Sequence, residues 1–268
     1  MSINICNFFL LTRLLLHDVF FVLSPLEQFE IIKIFTLNVF GYDISLTNSA
    51  LIVFLIFCVI FLWHFFILLS SQVVPTKFGF ILENIYLFVK NLILENIGAK
   101  FFRYFLYIYM LFLLLIFSNL VGMVPYSFTV TSHLIFTFGL SCATFLAINI
   151  FGVILNGANI FSLFLPSGAP LVVAPYLIII ELISYFARVF SLAIRLFANM
   201  MSGHTLLKIL TGFCWTMLAF GGFWVLVQVL PLIIVFLVTG LELAIACLQA
   251  YVFTVLVSIY LNDVIHLH

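Results

Sequence analysis

The chain has 268 residues, of which 66% are hydrophobic and only 7% charged, with a formal net charge of +0. A soluble domain carries roughly 25% charged residues, so this composition excludes a soluble fold and predicts an all-α polytopic membrane protein. The charge balance argues against nucleic acid or a strongly anionic partner.

Phenylalanine supplies 35 residues, a bias that a T-rich genome would produce and that hints at an organellar gene. The cysteines Cys6, Cys58, Cys142, Cys214 and Cys247 form no CxxC pair and lie in or near apolar runs. They read as small hydrophobes, not disulfides or metal ligands. The start, MSINICNFFLLTRLLLHDVF, lacks a basic leading region, a small-residue cleavage site and transit-peptide bias, so a retained N-terminus is expected.

Charges divide the chain. Residues 1–43 hold Arg13, Asp18, Glu27, Glu30, Lys33 and Asp43 and read as an N-terminal interfacial region. Residues 44–76 contain NSALIVFLIFCVIFLWHFFILLSS, long enough for a first transmembrane helix, since about 20 apolar residues cross the hydrocarbon core. Residues 77–103 intersperse Glu83, Lys90 and Glu95 among Phe, Ile and Leu, which predicts an amphipathic helix on the membrane surface. Residues 104–157 carry no Asp, Glu, Lys or Arg. They make a transmembrane pair, about 104–124 and 131–155. Residues 158–268 follow, interrupted by SGAPLVVAP and AFGG, with long apolar segments near 173–209 and 223–263. Helices of that length reach roughly 55–60 Å, about twice the hydrocarbon core. An antiparallel hairpin of steeply tilted helices is therefore expected. The expectation is five membrane helices plus one surface helix.

Beyond residue 103 the charged side chains are Glu181, Arg188, Arg195, Lys208, Glu242 and Asp263. An ionisable group at membrane depth is expensive and marks a functional site by default. Glu181, Arg188 and Arg195 are seven apart and share one helical face; Ser191 and Asn199 flank Arg195 at i−4 and i+4. On the second helix Glu242 and Gln249 are also seven apart. One antiparallel register sets Glu181 opposite Asp263, Arg195 opposite Gln249 and His204 opposite Glu242. Carboxylates and imidazoles exchange protons near neutral pH, whereas a guanidinium keeps its proton. Each end of the hairpin can pass protons and the middle cannot, which makes a barrier between two routes. His204 is nine residues from Arg195 and points from the opposite face, so the two routes need not be collinear.

Blander roles cover the remaining polar groups. Arg188 and Lys208 are expected near helix ends, snorkelling to head groups. His64 and His133 are expected to find local hydrogen bonds, and His266 and His268 form a terminal tail. Trp63, Trp215 and Trp224 suit interfacial belts. For Arg195 the alternative is a structural ion pair with Glu181 or Glu242.

The segments ELISYFARVFSLAIRLFANMMSGHTLLKIL and LTGLELAIACLQAYVFTVLVSIYLNDVIHLH closely resemble the a subunits of rotary F-type ATP synthases. NLVGMVPYSFTVTSHL and SPLEQFEI resemble the mitochondrial branch. The resemblance implies a stator subunit whose two offset proton half-channels, separated by an arginine, couple proton flow to rotation of a c-ring. Arg195 would be the essential charge facing the rotor acid. His204 and Glu242 would line the half-channel from the intermembrane space, Glu181 and Asp263 the exit half-channel to the matrix, with Ser191, Asn199 and Gln249 near the arginine. Bacterial relatives typically carry Glu where His204 stands and His where Glu242 stands. The implied setting is the mitochondrial inner membrane, multi-pass, with the C-terminus on the matrix side and other stator subunits as partners. No metal or cofactor is implied, and ATP would be made in the catalytic sector, not on this chain. Val189 departs from the Pro common in relatives, which questions a kink there. The rival readings are an ion-coupled secondary transporter, disfavoured by the absence of an internal repeat, and another respiratory-chain subunit such as a haem protein, disfavoured because its histidines show no pairing across helices.

Overall fold

The computed structural model describes residues 26–265, apart from 37, 40–41, 44, 70–76, 99–102, 125–126, 158–159 and 161–172. The stretch before Leu26 with Cys6, the start of SGAPLVVAP, and His266 and His268 lie outside the described residues.

Two short antiparallel pairings precede the first long helix: β1 (Lys33–Phe35) with β4 (Leu46–Thr47), and β2 (Asn38–Val39) with β3 (Tyr42–Asp43). No strand is expected from the sequence here; each is only two or three residues long. The Thr47 hydroxyl accepts the Ala50 N–H at 3.4 Å, the capping arrangement that starts a helix. Asn48 accepts the Ile32 N–H at 3.3 Å and so ties the incoming backbone to that start.

Helix α1 (Asn48–Leu69) has no polar face, as a lipid-facing span requires. Helix α2 (Lys77–Asn96) is amphipathic. Its stripe Val89, Leu92, Ile93 continues into Ile97 and is buried in the helical core, while Glu83 and Glu95 are exposed. Part of its apolar face is thus spent on protein. Phe80, Ile81, Leu87 and Phe88 remain exposed. Helix α3 (Phe105–Gly122) supplies the centre of the core through Ile108, Leu113 and Leu115. A 3-10 turn, Val130–Ser132, leads into α4 (Leu134–Asn156), which Gly157 ends at φ 56°.

Helix α5 (Ala174–Phe220) and helix α6 (Val229–Ile265) are the long pair. Pro175 and Pro231 sit in their first turns, where a missing N–H costs nothing. The expected stop near residue 209 does not occur. Gly212 alone costs about 1 kcal/mol in a helix and is carried through, and the helix breaks at Gly221 and Gly222, with φ of 66° and 59°. Arg188 and Lys208 therefore stand inside a continuous helix, not near its ends. Val189 is buried in that unbroken helix.

The described chain forms two compact units. One holds Gly203–Thr239 with the described residues up to Glu30. The other holds Ile31–Ser202 with the described residues from Gly240 onward. In the larger unit, α6 is gripped by hydrogen bonds from three helices: Asn96 to Ser258 at 2.9 Å, Asn119 to the Ala246 carbonyl at 3.1 Å, and Asn156 to the Val264 carbonyl at 2.7 Å. Without water in the bilayer core, such bonds fix orientation as apolar contact alone cannot.

His64 finds the local bonds expected of it. Its Nδ1 donates to the Ile60 carbonyl at 2.8 Å, and in the neutral ring Nε2 accepts from the Tyr109 hydroxyl at 3.2 Å. His133 departs from that expectation. It stacks on Phe128 with ring centres 4.9 Å apart, and its Nε2 is buried with no hydrogen-bond partner among the described residues. Burial pushes its imidazole below the ordinary histidine range.

Among the described residues five stretches are long and apolar enough to cross a membrane: Asn48–Ile67, Phe105–Gly122, Leu134–Asn156, Pro175–Phe220 and Val225–Ile265. The protein is an all-α, multi-pass membrane protein.

Candidate functional site

Helix α5 presents two faces in the larger unit. Val189, Leu192, Ala193, Leu196 and Met200 are buried, a stripe at i, i+3, i+4, i+7 and i+11 that packs inward. Ala187, Ser191, Arg195, Ala198 and Ser202 are exposed. Arg195 thus stands on an outward face where Ser191, Ala198 and Ser202 are small, with Phe190 and Ile194 exposed beside them. Among the described residues it makes no ion pair, so the structural pairing with Glu181 or Glu242 is not found there.

Helix α6 is similarly divided. Glu242, Ala246, Gln249, Phe253 and Val257 are buried, Glu242 at 3% and Gln249 at 4% exposure. Gly240, Ala244, Cys247 and Leu248 are exposed.

The two helices run antiparallel. Asn199 donates through Nδ2 to Gln249 Oε1 at 2.9 Å, and further along Arg188 Nη1 lies 3.6 Å from Asp263 Oδ2. This register differs from the one read off the polar residues. Gln249 meets Asn199, one turn beyond Arg195. Buried apolar area outweighs individual polar pairings in setting register. Leu192, Leu196 and Met200 take the inward face, which turns Arg195 out and brings Asn199 toward the partner helix.

Glu181 and Asp263 are joined through a third residue. Arg188 Nη2 is 3.5 Å from Glu181 Oε1 while its Nη1 faces Asp263. The guanidinium carbon lies 5.1 Å from the Tyr260 ring centre and 5.9 Å from that of Tyr185. The Tyr185 hydroxyl donates to Asn149 on α4. A cleft beside them is lined by Phe145, Ile148, Arg188, Tyr260 and Asp263. Arg188, expected to snorkel, is instead the hub of this cluster. The signal for it was the spacing of seven that puts it on the face of Glu181 and Arg195. Tyr185, Tyr260 and Asn149 carried no such signal, because aromatic residues and amides are common throughout the apolar helices.

His204 belongs to the smaller unit, where its ring meets Phe29 edge-on with centres 6.3 Å apart. Glu242 belongs to the larger one.

The family model described as ATP synthase A chain matches residues 49–262. The chain belongs to this family. It is similar to the protein named ATP synthase subunit a from Marchantia polymorpha, 53% identical over 249 residues, covering 91% of this chain and 99% of the relative. It is also similar to ATP synthase subunit a from Chondrus crispus, 49% identical over 249 residues, covering 93% and 98%. ATP synthase subunit a from Parvibaculum lavamentivorans is 39% identical over 246 residues, covering 92% and 95%. Near-complete coverage of both partners makes this a whole-chain likeness. It does not favour the secondary-transporter reading or another respiratory-chain subunit.

Proposed function

We propose that Arg195 is the barrier between two offset proton half-channels in an F-type ATP synthase. The chain is a stator subunit of that enzyme's membrane sector and takes part in proton transport for ATP synthesis. Its setting is the mitochondrial inner membrane, with the C-terminus on the matrix side. Its principal partner is a ring of small hairpins, each carrying one intramembrane carboxylate, and further stator subunits complete the sector.

The observation that carries this reading is the outward exposure of Arg195 on a face with small residues. An unpaired guanidinium on a membrane helix is costly, and a partner acid on another subunit resolves that cost. Small residues let a second helix approach closely, so Ala187, Ser191, Ala198 and Ser202 suit a ring sliding past.

The charges then give a direction to proton movement. His204 and Glu242 deliver a proton to the rotor carboxylate. Once neutral, that acid can face lipid, and the ring turns. On return it meets the route of Glu181 and Asp263. There Arg195 favours the ionised acid, because an adjacent opposite charge lowers a carboxylate pKa. The proton leaves toward the matrix. Each charge moved across 100 mV yields about 2.3 kcal/mol. Asn199 and Gln249, bonded to each other, hold α5 and α6 together one turn beyond the arginine.

The test compares passive proton flux through the membrane sector with ATP-driven pumping by the whole enzyme. Arg195→Lys is expected to abolish pumping, because a lysine covered by the ring can lose its proton and lacks the planar fork. Arg195→Ala is expected to abolish pumping and also to raise passive flux, since nothing then separates the two routes. Near-normal coupled synthesis by Arg195→Ala would overturn the reading.

A further inference from the structure

We propose that Arg188 is a positioning residue of the exit route, gathering Glu181 and Asp263 into one two-carboxylate station braced by three helices. This rests on the assignment of those acids to the exit half-channel.

The geometry is that of a fork. Two different nitrogens of one guanidinium address two carboxylates, Glu181 at 3.5 Å on its own helix and Asp263 at 3.6 Å on the neighbouring one. Two acids brought near each other at membrane depth repel, and a cation between them removes that repulsion. The reach is natural, since helical side chains lean toward the N-terminus, and Glu181 lies two turns in that direction. An ammonium is a single point charge and lacks the planar fork that can address two acids through fixed nitrogens.

The plane of the fork is held as well. Tyr260 on α6 and Tyr185 on α5 lie near the guanidinium at cation–π distance. Tyr185 is in turn fixed by its bond to Asn149 on α4, and its ring packs on Phe145 with centres 4.7 Å apart. Asn149, Tyr185, Arg188, Tyr260 and Asp263 therefore form one chain of contacts across α4, α5 and α6.

Stability does not account for this arrangement. The side chains are 27% exposed for Arg188, 36% for Glu181 and 45% for Asp263, and half-exposed ion pairs contribute little. A chain with so few charges places three of them in one cluster, and what the cluster gains is a fixed location for two proton-exchanging groups. The two arginines of this face thereby divide their work. Arg188 is committed to the chain's own acids, while Arg195, two turns away, is turned outward for the partner's.

The experiment uses the whole enzyme in membrane vesicles, with ATP-driven proton pumping as the readout and the amount of this subunit in the purified complex as the assembly control. Arg188→Gln is expected to lower pumping roughly tenfold, with assembly retained. Arg188→Lys should recover part of that loss. Equal loss in the Gln and Lys variants would show a packing role and overturn the proposal. So would wild-type pumping by Arg188→Gln. If Arg188→Gln fails to assemble, Tyr260→Leu removes a brace and leaves every charge. It is expected to reduce pumping several-fold, and unchanged pumping in that variant defeats the proposal too. Arg195→Ala in the same vesicles separates the two levels. Coupling lost there but intact in Arg188→Gln sinks only the positioning role, whereas coupling intact in Arg195→Ala sinks the half-channel reading itself.

Discussion

Glu242 shows how far a single residue can be argued. Its carboxylate is almost completely buried on α6, in a helix otherwise rich in Leu, Ala and Val. Burying an acid costs far more than burying a leucine of similar size, so a structural role alone would be filled more cheaply by an apolar residue. Its proposed work is to hand protons onward with His204. Glu242→Gln keeps shape and hydrogen-bonding capacity but removes the exchangeable proton. Pumping by the intact enzyme is expected to fall by about a hundredfold, the low end of what a positioned proton carrier contributes, while assembly is retained. Glu242→Asp should keep a substantial part of the rate. Equal rates for Glu242→Gln and the unaltered enzyme would remove Glu242 from the route. Arg188 makes the complementary point. Its type and its spacing from Glu181 were visible in the sequence. Its contact with Asp263 was not, because that contact depends on the register of a helix 75 residues away.

At the scale of elements, the junction between α4 and α6 depends on a missing side chain. A methyl group placed on Gly152 would collide with Val264 Cγ1 and lie 2.8 Å from Ile160 Cδ1. Val264 is β-branched and cannot swing aside. Gly152→Ala is therefore expected to cost about 1–3 kcal/mol through overpacking, read as a lower midpoint of thermal unfolding of the detergent-solubilised complex. Val264→Ala in the same chain should restore much of that loss. An unchanged midpoint for Gly152→Ala would mean that the two helices do not approach as described. The same junction carries the bond from Asn156 to the Val264 carbonyl, so the end of α6 bearing Asp263 is held by α4 on two counts. The break at AFGG was legible in the sequence, because two successive positive-φ glycines cannot continue a right-handed helix. The length of α5 was not: the helix runs past residue 209, through Gly212, to Phe220.

For the whole molecule, the outward face of α5 is the decisive surface. Helices α5 and α6, of 47 and 37 residues, are both far longer than an upright crossing of a core about 30 Å thick needs. Such helices must tilt, bend or protrude, and a tilted crossing suits a helix that follows the flank of a rotating ring. If the ring passes along Ala187, Ser191, Ala198 and Ser202, bulk placed there blocks it. Ala198→Leu alters an exposed position, where folding stability usually changes by less than about 0.5 kcal/mol. It is nevertheless expected to stop ATP-driven pumping or to release the ring from the purified sector. Normal pumping with a normal ring content would place the rotor on another face.

Composition and hydropathy alone determined that the chain is helical and multi-pass, because a bilayer leaves the backbone few ways to satisfy its polar groups. They also singled out the candidate residues, because so few ionisable side chains occur in the second half that each one stands out. The tertiary structure decided the pairing. It turned Arg195 outward, set Asn199 against Gln249 and placed Arg188 between Glu181 and Asp263. Those outcomes rest on which apolar stripe of α5 is buried, Leu192, Leu196 and Met200. The packing of that stripe sums many weak contacts along both helices, so no spacing of polar residues in one helix could reveal it.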